Sequence, residues 1–249
     1  MADRERRIFR IHRETLVDKL VQNIQEAVFS GERPPKSKIS EVGIAAEFGV
    51  SRVPAREALQ RLEKMNLVRK TRSGREVAQF SPEEFRHVYE LKNVVEAFGA
   101  MKGALNATPQ EIAAIEGIVE KMADAVADSD IDRLQKLNYE FHDSLVFCCK
   151  NPQVIECFSS LAQQVRWAMS ISLRVPDRPV MGEREHLEIF TAFSNRDAVK
   201  VRCLLETHSN KNMKRILRKM DPREDSAPGL KSCPEISPTA CRNLIDGVK

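Results

Sequence analysis

Apolar residues recur at helical spacing at Leu16, Val17, Leu20, Val21, Ile24, Ala27 and Val28 and stop at Ser30-Gly31, which predicts a first amphipathic helix. After Pro34-Pro35 a short second helix is expected from Ser40 through Ile44, Ala45 and Phe48 to Gly49. A third starts at Ser51 as N-cap, with Pro54 in its first turn, where a missing N–H costs little. Ala55, Ala58, Leu59 and Leu62 form its inner face, and it ends near Met65-Asn66. Leu67 to Lys70 and Glu76 to Phe80 read as short strands joined through Thr71-Arg72-Ser73-Gly74-Arg75. Helix, helix, turn, helix, hairpin is the order of a winged helix-turn-helix.

Ser81-Pro82-Glu83-Glu84 signals a new helix start, with proline at the first helical position and acids in the first turn. Beyond it the alternating pattern disappears. Helical runs are predicted at about 82–105, 109–128, 130–149, 152–174, 182–195 and 196–219, broken by Thr108-Pro109, Asn151-Pro152 and the proline-rich Val175 to Pro179. The expected fold is therefore mainly α: a winged helix-turn-helix over residues 1–80 and an antiparallel helical bundle over 81–219. Residues 220–249 carry four prolines and no periodicity, and are expected to be a disordered, functionally silent tail.

Charge adds a partner to this picture. Residues 1–80 hold 17 Lys/Arg against 11 Asp/Glu, and the remainder holds 23 against 25, so a basic head sits on a near-neutral body. That asymmetry suits nucleic-acid binding by the first domain. The six cysteines form no C-x-x-C pair, Met1 to Arg10 has no signal-peptide character, and no apolar run approaches the roughly 20 residues that span a bilayer. A cytoplasmic protein with reduced thiols and no membrane partner is expected.

In a helix-turn-helix the N-terminal end of the second helix enters the major groove. Ser51, Arg52, Val53 and Arg56 occupy that place. Arg52 and Arg56 are four apart and share a face, and each guanidinium can bond both acceptors of a guanine edge. Arg72, Gly74 and Arg75 at the wing could meet phosphate or the minor groove, with Gly74 allowing close backbone approach. The run from Phe48 to Glu63, FGVSRVPAREALQRLE, resembles the signature of the GntR family of regulators, with agreement continuing over about residues 12–80 at Gly31, Pro35, Glu41, Leu67-Val68 and Gly74. Three positions depart from it: Lys36 stands where glycine is usual, Val53 where threonine is usual and Ala55 where valine is usual.

Of the five histidines, His142, His186 and His208 lie within apolar helical stripes. Asn138 precedes His142 by four residues, a spacing that puts both on one helix face and suits joint metal coordination. Asn138-x-x-Phe141-His142, Glu185-His186 and Thr207-His208 together resemble the FCD sensor domain of the fatty-acid-regulator branch of GntR proteins. The resemblance implies a divalent metal, zinc or nickel by donor type, held by Asn138, His142, His186 and His208 at the floor of a ligand cavity. Asparagine in place of the more frequent aspartate removes one negative charge from that set.

The same resemblance implies a small organic acid as effector and a homodimer on palindromic operator DNA. Lys92, in the pattern Lys92-x-x-x-Glu96, and Arg166 and Arg174 on the fourth bundle helix are candidates for pairing an effector carboxylate. Two other functions fit the residues. A metal-dependent hydrolase or lyase on the three histidines would need a general base; Glu140, Glu185 and Glu206 adjoin the site in sequence and are expected to face elsewhere on their helices. A ligand-independent DNA-binding regulator would leave the histidines as core residues.

Overall fold

The computed structural model describes residues 15–172 and 183–221, without the side chains of 170–172 and 183. The chain forms two compact units that meet in sequence at Gln79-Phe80.

The first unit runs α1 (Leu16–Ser30), β1 (Lys38–Ile39), α2 (Glu41–Phe48), α3 (Arg52–Lys64), β2 (Val68–Thr71) and β3 (Gly74–Val77). Thr15 and Asp18 close a reciprocal capping box on α1, which satisfies orphan N–H groups at its start. Gly49 ends α2 at φ 64°, the left-handed conformation that allows the tight turn into α3. Val17, Leu20, Val21, Ile24 and Val28 of α1 pack with Ala55, Ala58, Leu59 and Leu62 of α3, as the periodicity requires, while Leu16 is exposed. Ser51 stands at the N-cap of α3 but, contrary to expectation, its side chain makes no capping bond.

The sheet differs from its prediction in two ways. The second wing strand starts at Gly74 and ends at Val77, because Thr71 pairs directly with Gly74 and leaves only Arg72-Ser73 as the turn. The Gly/Ser content of this stretch predicts a loop, yet Gly74 at φ 129° opens the strand in a conformation that L side chains rarely adopt. In addition, the two-residue β1 pairs with β3, giving the order β1-β3-β2. A strand that short has no period to detect. Lys36 adopts φ 64°, in the left-handed region that favours glycine, and donates its N–H to the Val77 carbonyl at 2.9 Å.

The second unit comprises α4 (Pro82–Asn106), α5 (Pro109–Ala127), α6 (Ile131–Phe147), α7 (Pro152–Ser172), α8 (Glu183–Ser194) and α9 (Ala198–Met220). Capping boxes at Ser81/Glu84 and Thr108/Glu111, each with proline at the helix start, explain why α4 and α5 begin where the sequence indicated. The Val175 to Pro179 break, Arg174 and residues 222–249 lie outside the described residues. Phe141, Leu145, Ile189, Phe193, Val201 and Leu205 join Ile115 and Met122 in the core.

Central helix α4 packs on α6, α7 and α9. Its approach to α6 is close because of two glycines. A Cβ on Gly103 would fall 2.2 Å from the Leu145 carbonyl oxygen, and one on Gly99 would fall 2.8 Å from a Val146 methyl. These contacts lie within two turns of Glu96 on α4 and one turn of His142 on α6, so the glycines set the separation across which those two residues meet. Arg196 fastens the far end of α4, donating to the carbonyls of Ala104, Leu105 and Ala107 at 3.1, 3.2 and 2.8 Å.

Candidate functional site

On the first unit, Ser51, Arg52, Val53 and Arg56 are all exposed on the opening turns of α3. Arg56 Nε donates to Glu41 Oε2 at 3.1 Å, and Arg75 Nη1 donates to Glu41 Oε1 at 3.1 Å. Arg75 also pairs with Glu63, so this wing arginine is turned inward and ties β3 to both α2 and α3. Two guanidiniums hold the Glu41 carboxyl below the ordinary carboxylate range, the Arg56 hydrogen bond being the larger cause. Arg72 stands exposed at the wing tip beside Gly74. The helix thus presents Arg52, Val53 and Arg56 outward, while Glu41 holds one arginine from behind. Glu41 was noted in the sequence only as a family match, and its structural job was not legible there.

In the second unit a cavity of about 390 Å³ opens among α4, α5, α6, α7, α8 and α9. Asn138, His142, His186, His208, Lys92 and Arg166 all line it. His142, His186 and His208 are buried and offer ring nitrogens that lie within 4.8 Å of one another. His142 Nε2 and His186 Nε2 are 3.4 Å apart. Two imidazoles at about 2.0–2.1 Å from a tetrahedral ion place their nitrogens about 3.3 Å apart, so this pair suits a shared ion.

Carboxylates stand behind two of the rings. Glu96 Oε1 is 2.7 Å from His142 Nδ1, and Glu185 Oε2 is 2.7 Å from His208 Nδ1. The hydrogen bond to Glu185 favours the proton on His208 Nδ1 and leaves its Nε2 lone pair to accept, the usual support of a metal-binding imidazole, whereas Glu96 stands at ion-pair distance from His142 Nδ1 without hydrogen-bond geometry. His208 Nε2 faces Asn212 Nδ2 at 2.9 Å. Burial lowers the His208 pKa, with the neighbouring His142 adding to the effect against Glu185, so the ring is favoured in its neutral, ligating form. Its hydrogen bond to His208, followed by that to Lys211, draws the Glu185 carboxyl down to about 2. Burial opposes ionisation of Glu96, but Lys92 and then His142 outweigh it and keep the carboxyl below its ordinary range.

Expectation and outcome differ for several residues. Glu185 was expected to face away from the site; it lines the cavity, because α8 lies against α9 and its side chain reaches across to His208 and Lys211. Glu206 pairs with Arg202 at 2.8 Å and Glu140 is exposed, so neither joins the histidines. Lys92 Nζ is 2.5 Å from Glu96 Oε2, and Arg166 pairs with Asp143 at 2.5 Å while lying 4.6 Å from the Tyr139 ring centre. Arg174 lies outside the described residues. Sequence reasoning did not single out Asn212 and Arg215, which line the same cavity and bond each other at 2.9 Å. Glu96 entered the sequence reading only as the second member of the Lys92-x-x-x-Glu96 pattern.

Residues 16–77 match the model of the bacterial regulatory proteins of the gntR family, and residues 87–211 match the FCD domain. The chain belongs to the GntR family. It is a DNA-binding transcriptional regulator with an FCD domain, not an enzyme. Similar curated proteins include an uncharacterized regulator, YdhC, of Bacillus subtilis, 25% identical and covering 78% of this chain and 89% of its own. The Nta operon transcriptional regulator of Aminobacter aminovorans is 27% identical, covering 74% and 86%. Among solved structures, Escherichia coli McbR/YncC shares the fold with a TM-score of 0.68 at 18% identity, over 82% of this chain and 98% of that one. A GntR regulator from Rhodococcus sp. RHA1 does so at 0.67 and 21%, over 81% and 97%. Among the described residues no helix is long and apolar enough to cross a membrane.

Proposed function

We propose that this regulator is a cytoplasmic homodimer whose grip on palindromic operator DNA is controlled by a small carboxylate effector bound over a metal ion. The observation that carries this reading is the convergence of three buried histidine nitrogens within 4.8 Å at the wall of the cavity. His142, His186 and His208, with Asn138 beside them, form the donor set. Neutral imidazoles and an amide oxygen suit zinc or nickel and leave room for an oxygen donor from the effector.

Lys92, Arg166 and Arg215 line the same cavity and supply positive charge for an acid. Lys92 and Arg166 are already neutralised by Glu96 and Asp143. Arg215, held by a neutral amide, is the stronger candidate for a carboxylate clamp. Arg52, Val53 and Arg56 read bases and Arg72 with Gly74 meets the backbone. Arg75 acts from behind, through Glu41 and Glu63. Leu91, Val94, Phe98 and Leu105 are exposed along one stripe of α4 with partial seven-residue spacing, a seam fit for a second copy. Effector occupancy then shifts the bundle and with it the separation of the two DNA-reading heads.

A melting screen of the zinc-loaded protein against small organic and sugar acids tests the effector class. Stabilisation by at least one acid, lost in Arg215→Ala and in the metal-stripped protein, is expected. Equal response to acids and their neutral amides would remove the carboxylate from the proposal.

A further inference from the structure

Among the described residues of the first unit, three large apolar side chains are exposed: Leu16 at 52%, Val42 at 55% and Val53 at 69%. Single exposed apolar residues are ordinary on any surface, so position must decide whether one matters. Leu16 lies on α1, and Val42 lies on α2, the helix that crosses the sugar-phosphate backbone in this motif. Val53, the most exposed, lies in the first turn of α3, the segment that enters the major groove.

On a helix, Arg52, Arg56 and Val53 fall within an arc of about 100°, with Arg56 between the other two. The next residue of that arc, Gln60, is exposed as well. Glu41 holds Arg56 Nε at 3.1 Å, which fixes the arginine against which Val53 is displayed. Valine is β-branched and stiff about χ1, so its methyls have a set direction. It has neither donor nor acceptor and can answer no phosphate and no polar base edge. The one apolar group on the major-groove edges of DNA is the thymine C5-methyl. Cytosine at the same place carries only C5–H where thymine carries the methyl, so the apolar contact is lost.

We propose that Val53 is a specificity residue that packs on the methyl of a thymine within two base pairs of the guanine read by Arg56. This rests on α3 being the base-reading helix. The test uses a duplex enriched by the full-length protein from a random-sequence pool, with each thymine replaced singly by uracil and each guanine by 7-deazaguanine. One thymine per half-site, within two base pairs of a sensitive guanine, will weaken binding about four-fold when its methyl is removed. In Val53→Ala that uracil penalty disappears while the guanine penalty stays; in Val53→Ile both stay.

Indifference of the wild-type protein to uracil at every thymine overturns the proposal, and so does an undiminished penalty in Val53→Ala. Loss of no affinity in Arg52→Ala and Arg56→Ala would instead reject α3 as the reading helix, a separate failure. Enrichment of no sequence removes that reading and the proposal together.

Discussion

Glu96 Oε1 stands 2.7 Å from His142 Nδ1 while its other oxygen receives Lys92 Nζ at 2.5 Å and Ser209 Oγ at 3.1 Å. One buried carboxylate thereby joins α4, α6 and α9 behind the histidine cluster. A carboxylate that orients an imidazole raises its basicity as a ligand, and its loss typically costs about 10- to 100-fold in metal affinity. Glu96→Gln keeps the shape and removes the charge. We expect zinc affinity to fall by about that factor, read by chelator competition on variant protein whose far-ultraviolet spectrum matches wild type. Unchanged affinity would confine Glu96 to holding the helices together.

Two helical glycines, Gly103 of α4 and Gly117 of α5, give a stability test of opposite signs. Gly103→Ala forces a methyl to 2.2 Å from the Leu145 carbonyl, a backbone atom that cannot swing aside. Overpacking of this kind costs about 1–3 kcal/mol or more, and thermal melting of the helical unit should fall by several degrees. Gly117→Ala on α5 meets nothing within 4 Å and should stabilise by up to about 1 kcal/mol. Matching melting temperatures in the two variants would contradict the close crossing of α4 and α6.

Lys36 holds φ 64° in a turn stitched to β3. A left-handed non-glycine residue costs roughly 1–2 kcal/mol, part of which glycine gives back in chain entropy. Lys36→Gly is expected to slow hydrogen exchange across residues 16–77 by the equivalent of about 0.5–1 kcal/mol. Faster exchange would mean that the lysine side chain contributes more than its backbone costs.

Arg52→Ala and Arg56→Ala should each weaken binding to an enriched operator by about 1–3 kcal/mol while leaving the helical content intact. Footprinting reads the loss. Glu41→Gln, which leaves Arg56 without its charged anchor, should reduce discrimination between operator and random DNA more than it reduces affinity for random DNA. Unchanged footprints in both arginine variants would place base reading elsewhere.

Much of this molecule was legible in the sequence for identifiable reasons. The helices announce themselves through periodicity and through Ser81-Pro82-Glu83-Glu84 and the Thr108-Pro109 break; the structure adds reciprocal capping boxes at Thr15, Ser81 and Thr108. His142, His186 and His208 stood out as polar residues within apolar stripes, and the structure brings all three together. What escaped was long-range pairing. Glu41 with Arg56, Glu96 with His142 and Glu185 with His208 are 15, 46 and 23 residues apart, and no local pattern encodes them. Arg75 read as a wing-tip contact because its spacing says nothing of Glu63, toward which it turns. The two-residue β1 was invisible for want of length.

Elemental analysis combined with native mass spectrometry, on protein purified without a metal-affinity tag, bears most directly on the sensor site. The account predicts a dimer carrying about one zinc- or nickel-class ion per chain, and no ion in His186→Ala. A metal-free wild-type dimer, or a full complement of metal in His186→Ala, would contradict it and return the three histidines to the core.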